Sequence, residues 1–213
     1  MDKTAELTEL ERAIASRRDL PLMESNLVFG EGNINCAVMF IGEAPGVNED
    51  RLRRPFVGRG GQLLDQVIRE IGWKREDVYI TNIVKRRPPE NRDPLPQEIE
   101  AYKPYLTKQI AIIDPKVVVT LGRFSMNYFL PDAKITRDHG RVFQIDGRLV
   151  YPVYHPAAAL RSTEMMNVFR QDLKKLPNVL AGELTVHLPD AVANLPEAKA
   201  KPKAEKPKQQ GLF

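Results

Sequence analysis

The apolar residues of the chain fall into short strand-like runs separated by stretches with helical spacing. Four runs rich in β-branched and aromatic residues predict buried strands at 36–42, 78–84, 117–122 and 149–154. Apolar residues three and four positions apart predict helices at 61–72, 96–113, 123–129 and 163–176. Continuous apolar strands that alternate with helices are typical of a parallel sheet covered on both faces. The pattern therefore predicts an α/β fold, a three-layer sandwich in which helices flank a central, mostly parallel four-stranded sheet.

The periodic pattern stops near residue 188. Residues 188–208 are mostly Lys, Pro, Ala and Glu, a composition that cannot bury enough apolar area to offset the entropy of ordering. The chain then ends in two large apolar residues, Leu212 and Phe213, after a polar segment. These changes predict a folded domain at 1–187, a disordered linker at 188–208 and, at 209–213, a peptide that anchors in the pocket of a partner.

Composition narrows the class of protein. The net charge is +4, but five Lys and two Glu at 196–208 contribute +3 of it, so the rest of the chain does not predict a general basic face. Mean hydropathy of −0.37, no apolar run near the ~18 residues of a membrane span and a charged first segment predict a cytoplasmic protein. A single cysteine, Cys36, excludes a disulfide within the chain and a cage of several thiolates, and we expect no metal site.

Polar and turn-forming residues follow each predicted strand. They are the loop Gly42-Glu43-Ala44-Pro45-Gly46 with Glu49 and Asp50, then Asn82, Gly122 and His155. In folds of this class, ligands bind beyond the carboxyl ends of the strands, so these residues form a candidate site. Each has an ordinary structural alternative: the glycine loop as a turn, Asn82 as a strand-end cap and His155 as a histidine satisfied within the fold.

Two groups of basic residues lie in the same loops. The first comprises Arg51, Arg53, Arg54 and Arg59, and the second comprises Lys85, Arg86, Arg87 and Arg92. Two such groups beside one site suggest contacts with phosphates, although a charged run is often only a solvated face. The residues thus indicate a phosphorylated or polynucleotide ligand.

Several of these segments together resemble the uracil-DNA glycosylase superfamily. The likeness rests on 42–46 with Glu49 and Asp50, on Arg54-Pro55-Phe56-Val57-Gly58, on Thr81-Asn82-Ile83-Val84-Lys85 and on His155-Pro156. It covers about residues 5–178 and is closest to the branch called family 4. The resemblance implies monofunctional hydrolysis of the glycosidic bond of deoxyuridine in DNA, a step of base-excision repair. A branch that traps its product on a histidine fits less well, because 85–94 contains no His and Ala44 replaces a Gln.

The chain departs from family 4 at the positions of an iron–sulfur cluster. The resemblance to that branch implies four cysteine ligands. The matching positions here are Arg17, Leu20, Arg86 and Tyr102. Cys36 lies in a predicted strand away from them. We therefore expect no iron–sulfur cluster and no other cofactor, with a polar or packed replacement at this place.

The resemblance also implies roles for the site residues. His155 would hydrogen-bond the uracil oxygen O2 as negative charge develops, and Glu43, with Glu49 in support, would orient or activate water. Asn82 would distinguish uracil from cytosine by its amide, and Phe56 would stack on the flipped base. Gly42 and Ala44 complete the predicted uracil-binding residues.

Contacts with DNA are expected around this pocket. Leu160 is the predicted wedge into the duplex, and the predicted phosphate contacts are Arg59, Lys85, Arg86, Arg87 and Arg161. Substrates would be uracil-containing single-stranded and double-stranded DNA. The loops offer no lysine nucleophile, so cleavage should proceed without strand nicking.

The terminal peptide Gln209–Phe213 resembles the short motif that docks on the bacterial sliding clamp, which would hold a monomeric enzyme near DNA in the nucleoid. An alternative function is a damaged-DNA or abasic-site binding protein of the same fold with little turnover. A nucleotide-binding enzyme of the same layered class is a weaker alternative, since the sequence has neither a P-loop nor G-x-G-x-x-G.

Overall fold

The computed structural model of the chain describes residues 2–189. Within them the strands form one sheet, and helices cover both of its faces, so the predicted α/β class and three-layer arrangement are confirmed. None of the helices in this region is both long and apolar enough to cross a membrane. Apart from its first two residues, the predicted linker at 188–208 lies outside the described residues, as does the whole peptide at 209–213.

The sheet contains seven strands in the described region, and not the predicted four. In chain order they are β1, Glu31–Gly32; β2, Val38–Gly42; β3, Tyr79–Asn82; β4, Val117–Leu121; β5, Val142–Ile145; β6, Arg148–Val153; and β7, Val186–His187. Their spatial order is β1-β3-β2-β4-β6-β5-β7. The four predicted strands are the central ones, β3, β2, β4 and β6, which all run parallel.

Two of the three additional strands, β1 and β7, lie at the sheet edges, and β5 lies between β6 and β7. β1 and β7 have only two residues each, too few for any periodicity. β5 pairs antiparallel with β6 across Asp146 and Gly147, both of which have positive φ angles. An Asp-Gly pair between two apolar segments is a hairpin signal, so this strand could have been found from the sequence.

The helices alternate with the central strands. Their bounds are α1, Lys3–Ser16; α2, Val47–Leu52; α3, Arg59–Glu70; α4, Pro96–Ile113; α5, Arg123–Phe129; α6, Ile135–Asp138; α7, Pro156–Ala159; α8, Thr163–Lys174; and α9, Leu176–Ala181. Short 3₁₀ turns occur at Arg75–Asp77 and Pro89–Asn91. The helices predicted at 61–72, 96–113, 123–129 and 163–176 correspond to α3, α4, α5 and α8.

Two apolar cores hold the helices on the sheet. On one face, α3, α8 and α9 pack with fully buried residues such as Leu64 and Phe169. On the other face, α1 and α4 pack with Ile14 and Leu106. All five residues of β2 and all five of β4 are buried, because each of these strands is covered on both sides.

The register of the parallel strands brings their carboxyl ends together. Gly42 at the end of β2 is paired with Asn82 at the end of β3, and Leu121 at the end of β4 is paired with Val153 at the end of β6. The loops that follow these residues therefore begin at one edge of the sheet. This edge carries the candidate site.

The loop between α2 and α3 makes a close backbone approach to α3. Phe56 has a φ angle of 51°, which is uncommon for a residue other than glycine. Its carbonyl lies so close to Gly61, in the first turn of α3, that a Cβ at that position would overlap it. Gly61 is therefore required where it stands, although alanine is normally the better helix former.

We expect Gly61→Ala to lower the free energy of unfolding by about 1–3 kcal/mol, the cost of forcing an extra carbon into a packed place. Intrinsic helix propensity alone would instead stabilise the variant by about 1 kcal/mol. The sign of the change in the free energy of unfolding therefore shows which of the two effects dominates. Urea denaturation of the full chain measures the effect. Gln62→Ala, at the next and exposed position of the same helix, is the control and should change stability by no more than about 0.5 kcal/mol.

Candidate active site

A pocket of about 840 Å³ opens at the carboxyl edge of the sheet. It brings together most of the residues that the sequence predicts for the site, from five separate segments of the chain. Those that line it are Glu43, Ala44, Glu49, Phe56, Arg59, Asn82, His155 and Arg161. The loops that follow the central strands therefore converge on one pocket, as the sequence predicts.

Asn82 supplies a polar group in the pocket that the protein leaves unpaired. The residue is 1% exposed, and its side-chain oxygen is buried without a hydrogen-bond partner in the described part of the chain. A buried amide oxygen without a hydrogen bond destabilises the protein unless a ligand supplies a donor. Because Asn82 lines the pocket, that arrangement is suited to a ligand with an N–H group.

Gly42 allows Asn82 and Phe56 to approach each other. An added Cβ at Gly42 would overlap the Phe56 ring and lie 2.5 Å from the Asn82 amide oxygen. The Phe56 ring lies 5.8 Å from the His155 ring, centroid to centroid, with the planes tilted by 36°. Phe56 and His155 thus form adjoining walls of a pocket suited to a flat ring.

His155 is held as a neutral imidazole with a defined tautomer. Burial lowers the pKa of His155 to about 4, although the nearby Glu49 carboxylate acts in the opposite direction. Its Nδ1 accepts a hydrogen bond from the backbone N–H of Ala157 at 3.2 Å. The proton of the neutral ring is therefore assigned to Nε2, which makes that atom a hydrogen-bond donor.

Glu49 is fixed by the backbone of the next loop. Its Oε1 accepts hydrogen bonds from the N–H groups of Val57 at 2.9 Å and Gly58 at 2.7 Å. These two amides precede α3 and are the ones that a bound anion would otherwise use. Asp50 acts in a similar way on another loop, since its Oδ1 accepts from the Asn26 N–H at 2.7 Å.

Glu43 differs from Glu49, because its carboxyl forms no hydrogen bond with any other described residue. Burial, together with a smaller effect of the Asp93 carboxylate, raises the pKa of Glu43 to about 7, although Arg123 acts in the opposite direction. Asp93 and Arg123 themselves form an ion pair of 2.5 Å and line the same pocket. Glu43 can therefore exchange a proton near neutral pH, which suits a general base.

Two of the predicted DNA contacts are wrong. Lys85 is fully buried and Arg86 is 6% exposed, so neither side chain can contact DNA phosphates. Ile83 and Val84 separate them from the end of β3, and every residue from 78 to 86 is buried. The basic run Lys85-Arg86-Arg87 predicts a surface feature, and only the tertiary structure shows that its first two members are buried.

The other predicted DNA contacts lie at or near the surface. Arg59 and Arg161 are exposed at the pocket, and Arg87 is half-buried with its Nε bonded to Asn91 at 2.7 Å. Leu160 is 37% exposed at the end of α7. These positions are compatible with the roles expected of them.

Sequence reasoning missed two groups of residues at the site. Arg75 donates to the carbonyls of Pro55 at 2.5 Å and Phe56 at 3.3 Å, and it pairs with Asp65 at 2.6 Å. It therefore holds the loop that carries Phe56. No sequence signal marks it, because these contacts join segments about twenty residues apart.

The second missed group is the ion pair of Asp93 and Arg123, whose two charges shift the pKa of Glu43 in opposite directions and less strongly than burial does. Arg123 directly follows Gly122 at the end of β4, so its place could have been inferred from the strand-end rule. The position of Asp93 depends on the course of the loop before α4 and has no such signal.

The four positions that resemble cluster ligands do not fit an iron–sulfur cluster. Tyr102 donates to the Pro21 carbonyl at 2.8 Å, and the Arg86 guanidinium donates to the Ser25 carbonyl. Leu20 belongs to the apolar core, and Arg17 is exposed and paired with Asp19 at 2.5 Å. Among residues 2–189, no group of three or more His, Cys, Asp or Glu could hold a metal ion.

Comparisons with known proteins agree with this geometry. A family model described as the uracil DNA glycosylase superfamily matches residues 29–176. The type-4 uracil-DNA glycosylase of Saccharolobus solfataricus is 47% identical over 168 residues, which cover 74% of this chain and 78% of the relative. That of Sulfurisphaera tokodaii is 46% identical over 164 residues, covering 71% and 74%. That of Thermotoga maritima is 43% identical over 169 residues, covering 77% and 88%. The chain therefore belongs to the uracil DNA glycosylase superfamily.

Proposed function

We propose that the protein is a monofunctional uracil-DNA glycosylase, which releases uracil from DNA and leaves an abasic site for base-excision repair. The observation that carries this proposal is the buried, unpartnered Asn82 oxygen in a pocket whose walls include Phe56 and neutral His155. The type-4 relatives, named as uracil-DNA glycosylases, support the same activity.

Recognition of the base would rest on Asn82. Its free amide oxygen accepts from uracil N3–H, and its amide nitrogen donates to O4. Cytosine presents an acceptor at N3 and a donor at C4, so both contacts would be mismatched and a buried polar group would remain unpaired. Phe56 stacks on the base once the nucleotide has flipped out of the duplex, and Gly42 and Ala44 leave room for it.

Cleavage would be hydrolytic. The bond between C1′ of the sugar and N1 of uracil breaks, and its electron pair leaves with the base. The His155 Nε2–H donates to O2 and stabilises that negative charge. Water adds to C1′ as Glu43 accepts its proton, while Glu49, fixed by Val57 and Gly58, stabilises the cationic sugar.

Contacts with the DNA strand would come from the exposed rim of the pocket. Arg59 and Arg161 line the pocket and are exposed, so they would bind phosphates, as would Arg87 on the loop after β3. Leu160 would fill the space that the flipped base leaves. The small alanines before it form a slight wedge, so we expect efficient action on single-stranded DNA and weaker action on duplex.

The reaction would need neither a lysine nucleophile nor an iron–sulfur cluster. Lys85, the lysine nearest to Asn82 in sequence, is buried outside the pocket lining, so no strand cleavage is expected from it. The hydrogen bonds of Tyr102 and Arg86 to the 21–25 segment would hold that segment in place, as a cluster would otherwise do.

The C-terminal peptide would connect the enzyme with replication. Gln209–Phe213 would dock on the bacterial sliding clamp, with 188–208 as the basic linker that joins it to the catalytic domain at 1–187. Tethering raises the effective concentration of a monomeric enzyme near newly made DNA in the nucleoid.

The central test is a multiple-turnover assay on a labelled single-stranded oligonucleotide with one uracil, analysed with and without alkali. We expect alkali-dependent cleavage by the wild type. His155→Ala should lower kcat by about 10²–10³, the usual loss on removing one oxyanion donor, and Asn82→Ala should lose activity at least as strongly.

Two further measurements in this assay test whether activity is independent of a cluster and whether the protein is instead a damage-binding protein. Treatment of the wild type with a strong iron chelator should leave the rate unchanged, and a loss would contradict cluster-free activity. Tight binding with at most one uracil released per molecule would instead identify a damage-binding protein.

The pH profile of kcat/KM tests the role of Glu43. The base form is required, so activity should fall as the pH drops through about 7, the pKa of Glu43. Asp93→Asn removes a neighbouring negative charge, lowers the Glu43 pKa and should move the acidic limb to lower pH. Glu90→Gln, on the same loop but without influence on the Glu43 pKa, is the control and should leave the limb in place. An unmoved limb in Asp93→Asn would assign the titration to another group.

Deletion of residues 209–213 tests the tail. We expect binding to the purified bacterial clamp to be lost, because the peptide supplies the only proposed anchor, while hydrolysis of a free oligonucleotide stays at the wild-type rate. Replacing Leu212 and Phe213 by alanine should have the same effect as the deletion. Unchanged affinity for the clamp in a direct binding measurement would refute the assignment.

A further inference from the structure

Lys85 is a buried cation for which the mechanism above has no use. Its Nζ donates to the Thr81 hydroxyl at 2.6 Å, to the Asn82 backbone carbonyl at 2.8 Å and to the Gln109 side-chain oxygen at 2.6 Å. The Phe29 ring lies 6.0 Å from Nζ, centroid to nitrogen. Lys85 forms no ion pair with any carboxylate of residues 2–189, so its charge is surrounded by neutral dipoles.

The neighbours of Lys85 allow it to be the donor in all three contacts. The Thr81 hydroxyl gives its own proton to the Phe29 carbonyl at 2.7 Å, so it accepts from Lys85. Gln109 directs its amide nitrogen to the Phe29 carbonyl at 3.2 Å and to the Tyr79 hydroxyl at 2.9 Å, which leaves its oxygen facing the lysine. A backbone carbonyl can only accept.

Three acceptors match the three N–H groups of an ammonium ion. A neutral amine has only two, and it would bond all three groups only if the Thr81 hydroxyl turned its proton to the amine and gave up its hydrogen bond to the Phe29 carbonyl. Burial lowers the pKa of Lys85 well below the usual lysine value, since no carboxylate offsets the loss of hydration. The hydrogen-bond pattern favours the charged form against this effect.

The charge lies directly behind the residue that reads the base. Lys85 holds the carbonyl of Asn82, whose side chain reaches the pocket, and Asn82 is the last residue of β3. A positive charge in a poorly hydrated interior acts over a longer distance than one at the surface. The reaction places new negative charge on the base that Asn82 contacts.

We propose that Lys85 is a positioning residue for the base pocket: it fixes the Asn82 peptide and sets an uncompensated positive charge behind it, which stabilises the anionic leaving base. This role rests on the proposed glycosylase function. It differs from a contact with DNA and from nucleophilic catalysis, because the amine reaches neither phosphate nor sugar.

The test compares leaving groups of different stability. Fluorine at C5 withdraws electrons and makes the uracil anion more stable, so 5-fluorouracil depends less on stabilisation by the enzyme. Single-turnover rates are measured with oligonucleotides that contain either base. Lys85→Met, of similar size and uncharged, should lower the rate with uracil at least tenfold and with 5-fluorouracil clearly less. An equal loss with both bases would leave only a structural role and would overturn the proposal.

Gln109 provides a matched pair of variants that keep the lysine. Gln109→Glu retains an acceptor for Lys85 and adds a compensating negative charge, so it should reproduce the selective loss with uracil. Gln109→Met removes the hydrogen bonds without adding charge and should lose less with uracil than Gln109→Glu. Equal rates in these two variants would overturn the electrostatic role, even if Lys85→Met fails to fold in a thermal melt.

The activity of the wild type distinguishes failure of the glycosylase function from failure of the role of Lys85 alone. Absence of release of either base by the wild type would overturn the glycosylase function and the role of Lys85 with it. An active wild type with variants that are equally fast, or equally slowed on both bases, would overturn the role of Lys85 alone.

Discussion

The carboxyl ends of the four parallel strands finish side by side, and the whole site depends on that register. Pairing of Gly42 with Asn82 and of Leu121 with Val153 means that four loops start from one edge. A slip of one residue in β3 would turn the Asn82 side chain to the opposite face of the sheet. β2 and β4 are buried along their full length, so a shift of either strand would force close-packed side chains on both faces to repack.

Burial then sets the chemistry of the groups at this edge. It keeps His155 neutral, with Nε2 as a donor, and it raises the pKa of Glu43 to about 7. It also makes the unpaired Asn82 oxygen costly until a ligand completes its bonding. The two glutamates differ in their contacts: Glu49 is anchored by two amides, whereas the Glu43 carboxyl has no hydrogen-bond partner among residues 2–189.

Residues on the face of the sheet that α1 and α4 cover support the candidate site. The network of Lys85, Gln109 and Thr81 joins β3, α4 and the Phe29 carbonyl, so α4 is linked to the strand that ends in Asn82. Close by, Tyr102 and Arg86 bond to the backbone of 21–25, at two of the positions for which the resemblance to family 4 implies cluster ligands. Hydrogen bonds to carbonyls can tie an N-terminal segment to a helix without metal, because each satisfies a polar group in an otherwise apolar core.

The sequence by itself determined the α/β class, the four central strands, the helices α3, α4, α5 and α8 and the convergence of Glu43, Asn82 and His155, because continuous apolar strands and polar strand ends are local patterns. It left α1 unpredicted. It did not determine the edge strands β1 and β7, which are too short to show a period. It also could not assign the direction of Lys85 and Arg86, since a basic run looks alike whether it faces solvent or the core. Only the tertiary structure decided those points, and with them the hold of Arg75 on the Phe56 loop, because each depends on contacts between residues that are distant in the chain.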